Sequence, residues 1–362
     1  MTERGMSMKS TSRETSLIST MWKYRETRFC RRRLLRTAVA LAPALITGCL
    51  RTKEPRYRLR LGTNLPPAHP LNKRLRQAAE AVRSATHDDA VIELYPAGQL
   101  GSDPDMLSQV RNGAIHFLSL SGLIASMLVP EAALSGVGFA FSDSAQLFTA
   151  LDGAVGAHIR AAFSRHGLHA FPQVFENGFR QITSSDKLIS SPAELTGMKI
   201  RVPAGAMFTS LIESLGAMPT SINGNELYTA LQTHVVDGQE NPLAIVSVLK
   251  LFEVQRYCSL TSHMWDGFWI LANEEMFASL PPGLRDLIAT QFSRAALLQR
   301  ADVAAQNTSL PDTLRAAGML ITQPDRDAFR RVLTQVGYYR RWRKRLGEAS
   351  WSILESAVGE LR

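Results

Sequence analysis

The stretch VVDGQENP (Val235–Pro242) places two acids, two amides and one glycine directly after two valines. The residues HVVDG at 234–238 predict a short buried strand, which follows an amphipathic helical run at 225–234. The polar residues of QENP then fall at the carboxyl end of that strand, where open α/β sheets bind ligands. The stretch therefore predicts one strand of an α/β sheet, a tight turn at Asp237-Gly238 and a polar recognition corner beyond it.

Strand-like and helix-like segments alternate along the rest of the chain. Strands are predicted at 57–62, 90–96, 115–120, 178–185 and 197–203. Helices are predicted at 71–82, 104–113, 144–166 and 204–216, with Gly167 and Gly216 closing the last two. Such alternation is typical of parallel sheets covered by helices, so the predicted fold class is α/β. The length of 362 residues predicts about two domains.

The formal net charge of +9 is concentrated at the start of the chain. Residues 1–48 contain ten Lys and Arg against three acids, whereas the rest of the chain contains 31 basic and 29 acidic residues. The folded body is therefore nearly neutral. Its one basic run, YYRRWRKRLG at 338–347, has an apolar face at Tyr338, Trp342 and Leu346, which predicts a docked helix with a solvated basic face. We expect no nucleic-acid partner.

The first 48 residues read as a targeting segment. The basic run RRRLLR (31–36) precedes TAVALAPALITG (37–48), an apolar stretch too short to cross a bilayer as a helix. It ends in ITGC, which resembles a bacterial lipobox whose cysteine, Cys49, becomes lipidated. We therefore predict a lipoprotein signal peptide over 1–48 and a lipid-anchored linker over 49–55. Arg31–Arg33 also resembles a twin-arginine export signal, so the export route stays open.

The sequence contains no common catalytic or metal-binding motif. CxxC, HExxH, GxSxG, P-loop and GxGxxG patterns are all absent. Cys258 lies in an apolar, strand-like run, which favours a buried thiol over a nucleophile. We therefore predict no enzyme activity, no metal and no cofactor.

Five blocks of sequence together resemble one protein family. They are YPAGQLGSDPDMLSQVRNGAI (95–115), GFRQITSS (178–185), LTGMKIRVP (195–203), NELYTALQTHVVDGQENP (225–242) and YCSLTSHMWDGFWILAN (257–273). In this order they are similar to the extracytoplasmic solute-binding proteins of tripartite ATP-independent periplasmic (TRAP) transporters, of the C4-dicarboxylate-binding type. The resemblance covers about residues 59–354.

The resemblance implies a two-lobed periplasmic binding protein fold with a ligand cleft between the lobes, crossing hinge strands and a long connecting helix. We expect the first lobe at 56–177 and 267–306, and the second at 178–266 and 307–362. The implied function is to capture a small organic acid and deliver it to a TRAP permease in the membrane. The implied location is the periplasm of a Gram-negative bacterium, as a membrane-anchored lipoprotein.

The resemblance also implies the residues of the binding site. Arg201 matches the arginine that forks onto the substrate carboxylate, a task that suits its planar, always charged guanidinium. Arg180 matches a second arginine, which either reaches the pocket or supports the first one. Asn241 matches a ligand-contacting asparagine, and Glu240 is expected to orient an arginine from behind.

Weaker contacts are expected from the first lobe and from an aromatic side chain. Asn64 and Ser121 follow predicted strands and match pocket positions, although each could equally cap the next helix. Trp265 could form a pocket wall or lie in the core.

Two positions depart from the family pattern. Gly224 stands where many relatives have an aromatic residue, and His234 stands where a glycine is usual. The first change would widen the pocket, so the C4-dicarboxylate specificity is not carried over. The alternatives are a binding protein of another transporter class, a sensor-associated binding protein and, least favoured, an exported hydrolase.

Overall fold

The computed structural model describes residues 54–362. The predicted signal peptide, Cys49 and most of the predicted linker lie outside these residues. The strands are β1 (Tyr57–Thr63), β2 (Ala90–Tyr95), β3 (Phe117–Ser121), β4 (Leu168–Ala170), β5 (Phe175–Phe179), β6 (Gln181–Ser184), β7 (Lys199–Val202), β8 (Met218–Ser221), β9 (Gly238–Asn241), β10 (Tyr257–Ser259), β11 (Trp265–Asn273) and β12 (Leu320–Thr322).

Helices alternate with these strands over most of the described chain. They are α1 (Pro70–Ala85), α2 (Asp103–Arg111), α3 (Gly122–Ala125), α4 (Ser144–Asp152), α5 (Ala154–Arg165), α6 (Ala206–Ser214), α7 (Leu227–Gln232), α8 (Leu243–Val248), α9 (Glu274–Ser279), α10 (Pro282–Ala316), α11 (Arg326–Gln335), α12 (Tyr338–Leu346) and α13 (Glu348–Val358). Short 3-10 turns occupy Pro130–Gly136, Pro192–Leu195, Gly224–Glu226 and Leu251–Glu253.

The strands form two six-stranded sheets, which confirms the predicted α/β class. The first sheet has the order β2-β1-β3-β11-β4, with β5 also paired to β11. Its strands β1, β2 and β3 are parallel, and β11 runs antiparallel to its three neighbours. The second sheet has the order β12-β10-β6-β9-β7-β8 and is also mixed.

The chain passes between the two sheets three times: at two adjacent points, and once more from β11 through α9 and α10 to β12. Strand β5 belongs to the first sheet and β6 to the second, and only Arg180 separates them. The chain returns between β10 and β11, where the Met264 carbonyl accepts a hydrogen bond of 2.8 Å from the Arg180 backbone N–H. The predicted single strand at 178–185 is therefore two strands with a crossover between them.

The long helix α10 fixes the first of these crossovers. The Gln299 side chain accepts from the Glu176 N–H at 2.8 Å and donates to the Glu176 carbonyl at 2.6 Å, both within the buried interior. The same helix forms a bidentate ion pair from Asp302 to Arg74 on α1, with both N–O distances 2.6 Å. Helix α10 therefore holds β5 in place just before the chain leaves the first sheet.

The helix predicted at 144–166 is two helices. Helix α4 ends at Asp152 and α5 begins at Ala154, because Gly153 between them has φ −99° and ψ −140°, outside the helical region. The apolar periodicity continues across Gly153, so it gave no sign of the break.

The strand predicted at 234–238 is wrong in register. The strand is β9, Gly238–Asn241, and Val235 at the predicted strand position is 54% exposed. Strand β9 lies in the sheet between β6 and β7, and all four of its residues are buried. Its polar side chains find partners on neighbouring elements; Gln239, for example, donates to the Thr183 hydroxyl at 2.9 Å. The polar residues therefore form the strand itself and do not follow it.

Helices α12 and α13 close the C-terminal part of the chain. Tyr338, Trp342 and Leu346 on α12 are buried, as predicted for a docked helix with a solvated basic face. Helix α13 packs against α4 and α5, with Trp351 fully buried.

Two glycines provide a test of the β9 register. A Cβ on Gly238 would lie 2.3 Å from the Thr183 carbonyl oxygen of the paired strand, whereas a Cβ on Gly224 would have no atom within 4 Å. Gly238→Ala should therefore lower the free energy of unfolding by about 1 to 3 kcal/mol or more, because the strands must separate. Gly224→Ala is the matched control and should change it by less than about 1 kcal/mol. Urea denaturation measures both, and equal midpoints for the two variants would contradict the β9 pairing.

Candidate functional site

A cavity of about 140 Å³ is lined by residues from strands of both sheets and from the starts of neighbouring helices. Its polar lining comes from nine side chains: Asn64, Asp103, Ser121, Asn177, Arg180, Arg201, Asn225, Asn241 and Asp266. Its apolar lining includes Leu65, Ile124, Leu227, Ile245 and Phe268. The cavity thus brings together Arg201, Arg180, Asn241, Asn64 and Ser121, five of the seven residues predicted for the site.

Arg201 is a buried cation with no acidic partner in ion-pair contact among residues 54–362. It lies on β7 with 3% of its surface exposed. Its Nε and Nη2 both donate to the Ile222 carbonyl, at 2.8 and 2.5 Å. Burial lowers the pKa of Arg201 to about 10; the Glu240 carboxylate opposes this, and the Arg180 charge adds to it. The guanidinium is therefore charged at neutral pH but is poorly compensated.

Arg180 is compensated on nearly every side. Its Nη1 donates to Asp266 at 3.0 Å, and its Nη2 donates to a Glu240 carboxylate oxygen at 2.9 Å and to Asn241 at 3.1 Å. Its Nε also donates to Glu240. Burial acts to lower the pKa of Arg180, but the two carboxylates outweigh it and the net direction is upward. Arg180 is therefore a fixed part of the crossover, with only 1% of its surface exposed.

Glu240 lies behind Arg180 and does not line the cavity. Besides the arginine, it contacts His263, whose Nε2 lies 3.3 Å from a Glu240 oxygen. Burial lowers the pKa of His263, so a neutral ring can donate to Glu240 while its Nδ1 accepts from the Thr261 hydroxyl 2.8 Å away. Glu240 therefore holds the Arg180 guanidinium from outside the cavity lining.

Asn64 and Asp103 form a pair on one wall of the cavity. The Asn64 amide donates to one Asp103 carboxylate oxygen at 2.5 Å. The other Asp103 oxygen and the Asn64 carbonyl oxygen are buried and have no hydrogen-bond partner in the described chain. Burial raises the pKa of Asp103 to about 6, against the Asn64 hydrogen bond and the Arg201 charge, which act to lower it.

Sequence reasoning missed Asp103 as a site residue. The residue begins α2 directly after the N-cap Ser102, where an acid is usual because it interacts favourably with the helix dipole. Only its position beside Asn64 in three dimensions separates it from an ordinary helix-start acid.

Ser121 lines the cavity and also caps the next helix. Its hydroxyl donates to Asp266 at 2.6 Å in the cavity wall and also accepts from the Leu123 N–H at 3.2 Å, at the start of α3. The second Asp266 oxygen accepts from the Asn177 amide at 3.2 Å. Asp266 and Asn177 were also missed: Asn177 directly precedes the strand predicted at 178–185, and Trp265 was the residue of the block 257–273 considered for the site.

Trp265 does not line the cavity, so its predicted role as a pocket wall is wrong. Successive residues of a strand point to opposite faces, and on β11 the side chains of Asp266 and Phe268 reach the cavity. Trp265 lies on the opposite face, 1% exposed, with its ring edge-to-face against Phe148 at 5.9 Å. The aromatic side chain of the cavity is Phe268.

Gly224 lines the cavity, and its missing side chain leaves open space there. The departure from the family pattern at this position therefore falls on the cavity wall.

The described residues contain no group of three or more His, Cys, Asp or Glu side chains placed to hold a metal ion. Burial raises the pKa of the Cys258 thiol to about 12, which disfavours the thiolate at neutral pH. Within residues 54–362 no helix has the length and apolarity needed to cross a membrane.

Comparison with known proteins adds to this geometry. Residues 61–344 match the model of the bacterial extracellular solute-binding proteins of family 7, DctP. The chain is 32% identical over 251 residues to the 2,3-diketo-L-gulonate-binding periplasmic protein YiaO of Escherichia coli. The aligned region covers 69% of this chain and 76% of that protein. The chain is 35% identical over 313 residues to an uncharacterized protein of Sinorhizobium fredii, which covers 86% of this chain but only 58% of that protein's length.

A solved structure has the same fold. It is a TRAP periplasmic solute-binding protein from a Sulfitobacter species with bound β-D-galacturonate, 25% identical, with a TM-score of 0.79 over 83% of this chain and 99% of that one. The two-lobed fold is thereby confirmed. The chain belongs to the bacterial extracellular solute-binding proteins of family 7, the binding proteins of TRAP transporters.

Proposed function

We propose that this protein captures a small organic acid outside the cytoplasm, by its carboxylate, and delivers it to the membrane permease of a TRAP transporter. The observation that carries the proposal is Arg201, a buried cation in the cavity wall that no carboxylate of the described chain contacts. A buried charge is costly unless it is paired, so the site favours an anion that completes it.

The free part of the Arg201 guanidinium suits a carboxylate. The Nε and Nη2 edge is occupied by the Ile222 carbonyl, and no residue within 54–362 hydrogen-bonds to Nη1. The Nη1 and Nη2 edge therefore retains N–H groups for two parallel hydrogen bonds to the two oxygens of a ligand.

The other predicted site residues receive different roles. Asn241, Asn64 and Ser121 line the cavity and are proposed to contact the ligand. Arg180 and Glu240 are proposed to position the site, because their charged groups are already engaged with each other and with Asp266.

The cavity lining supports a cleft that closes around the ligand. Asn64 and Ser121 follow or end strands of the first sheet, whereas Arg201 and Asn241 belong to strands of the second. We keep the proposed lobes at 56–177 with 267–306 and at 178–266 with 307–362. Helix α13, which this division assigns to the second lobe, packs against α4 and α5. Hinge closure is a common motion of such folds.

The rival functions have less support. A hydrolase needs an accessible nucleophile with a base, whereas Cys258 is buried and His263 is engaged with Glu240 and Thr261. Family membership favours a TRAP permease over the partners of other transporter classes or a sensor. We therefore propose a binding protein without enzyme activity.

The two arginines should respond differently to removal. Arg201→Ala should weaken binding of the acid by about 30- to 3000-fold, equivalent to about 2 to 5 kcal/mol, because the ligand anion is left unpaired in a dry cavity. Arg201→Lys should recover only part of this, since an ammonium cannot reproduce the fork. Arg180→Ala should instead destabilise the ligand-free protein by about 3 to 5 kcal/mol, because Glu240 and Asp266 lose their shared cation.

Calorimetric titration and thermal unfolding separate these effects, and Arg340→Ala, on the exposed face of α12, is the control. Full affinity in a folded Arg201→Ala protein would refute the carboxylate anchor.

We also propose periplasmic location and membrane anchoring through Cys49, because ITGC at 46–49 resembles a lipobox and the family is extracellular. In a Gram-negative host, the wild type should sediment with membranes after cell lysis. Cys49→Ser should block lipidation at this position, and mass spectrometry should then find no acylated N-terminal peptide. Cys30→Ser, the same change within the predicted leader, should leave lipidation intact. A mature N-terminus downstream of Cys49 in the wild type would argue against the anchor.

A further inference from the structure

Three oxygen atoms in the cavity lining are buried and lack a hydrogen-bond partner within residues 54–362. They are Oδ1 of Asn64, Oδ1 of Asp103 and Oδ1 of Asn177. Buried polar atoms in folded proteins are nearly always hydrogen-bonded, so three orphans in one cavity indicate groups that the ligand must satisfy.

All three atoms are acceptors by the logic of their own contacts. The Asn64 amide nitrogen donates to Asp103, and the Asn177 amide nitrogen donates to Asp266, so each amide leaves its carbonyl oxygen unpaired. One Asp103 oxygen, Oδ2, already accepts from Asn64. The unpaired oxygen, Oδ1, is an acceptor whenever the carboxyl is ionised.

The charges around the cavity also favour a ligand with hydrogen-bond donors and a single carboxylate. Two arginines, Arg180 and Arg201, face three carboxylates, those of Asp103, Glu240 and Asp266. The Arg180 charge is paired with Glu240 and Asp266, and a ligand carboxylate on Arg201 would pair with the second positive charge. A second carboxylate on the same ligand would then meet Asp103 and two carbonyl oxygens, with no cation left for it.

We propose that the ligand is a monocarboxylic acid whose remaining polar groups donate hydrogen bonds to Asn64, Asp103 and Asn177, and that dicarboxylic acids are rejected. This inference rests on the proposed function, because it takes Arg201 as the site of the first carboxylate. The donors are hydroxyl groups or an ammonium group, which share the chemistry that these oxygens require.

The test uses ligands of equal chain length at pH 8, where Asp103, whose pKa burial raises to about 6, is ionised. The four-carbon set is D-erythronate, 4-aminobutyrate, succinate and butyrate. The six-carbon set is D-gluconate, 6-aminohexanoate, adipate and hexanoate. Calorimetric titration measures the dissociation constant of each with the mature protein.

In at least one set, the hydroxylated or amino acid should bind at least about tenfold more tightly than the dicarboxylate and the unsubstituted acid, because only the former satisfies the buried oxygens. A preference for the hydroxy acid identifies hydroxyl donors, and a preference for the amino acid identifies an ammonium. A dicarboxylate that binds as tightly as the donor-bearing acid of its length, with binding lost in Arg201→Ala, overturns this inference and leaves the proposed function standing. Failure of every acid in both sets to bind overturns both.

Asp103→Asn tests the residue itself. It replaces one acceptor oxygen by an N–H donor of similar size, so it should weaken the preferred ligand at least about tenfold and reduce the discrimination against the dicarboxylate. Asp105→Asn is the matched control, because Asp105 lies on the same helix turn, is exposed and does not line the cavity. Equal effects of the two variants would show that Asp103 has no part in specificity. Thermal unfolding checks that both variants are folded. If Asp103→Asn does not fold, the ligand series with the wild type still tests the inference.

Discussion

The arrangement of the site depends on a buried ion cluster at the point where the chain passes between its two sheets. Arg180 lies between β5 and β6, Glu240 lies in β9 of the second sheet, and Asp266 lies in β11 of the first. Burying any one of these charges without the others would be costly, and Arg180 pairs with both carboxylates, so it fixes their positions. Through Asn241 and Ser121, which hydrogen-bond to members of the cluster, the same contacts set two walls of the cavity.

Arg201, on β7 of the second sheet, shows the opposite arrangement. It is as buried as Arg180, yet its hydrogen bonds go to one backbone carbonyl and to no carboxylate of the described chain. One arginine is therefore used by the fold, and we propose that the other binds the ligand. The unpaired oxygens of Asn64, Asp103 and Asn177 lack hydrogen-bond donors, whereas the Arg201 guanidinium lacks an anionic acceptor. The cavity lining therefore contains both a cation that lacks an anionic partner and acceptor oxygens that lack donors.

Much of this fold could be predicted from the sequence, because the alternation of apolar residues directly reflects which face of each helix and strand is buried. This pattern did not predict elements in which polar residues are buried, or breaks that leave the apolar spacing unchanged. The strand Gly238–Asn241 is polar but buried, so its sequence reads as a loop, and Gly153 breaks a helix without disturbing the apolar period. Arg201 and Asn241, which line the cavity, were predicted as site residues through a family resemblance, whereas Asp103 looks like any acid at a helix start. The sequence left Trp265 open between the pocket wall and the core, because adjacent residues of a strand point to opposite faces and only the pairing of β11 fixes which face is which.

The central claim is that the uncompensated charge of Arg201 selects an anion. The most direct measurement compares the affinity of the tightest-binding acid with that of its primary amide, in the wild type and in Arg201→Ala. If the claim holds, the wild type should bind the acid at least about a hundredfold more tightly than the amide, and the variant should bind the two with nearly equal affinity, because the difference then lies in the pairing with the guanidinium. A wild type that binds acid and amide equally well, or a variant that keeps the full preference for the acid, would contradict it.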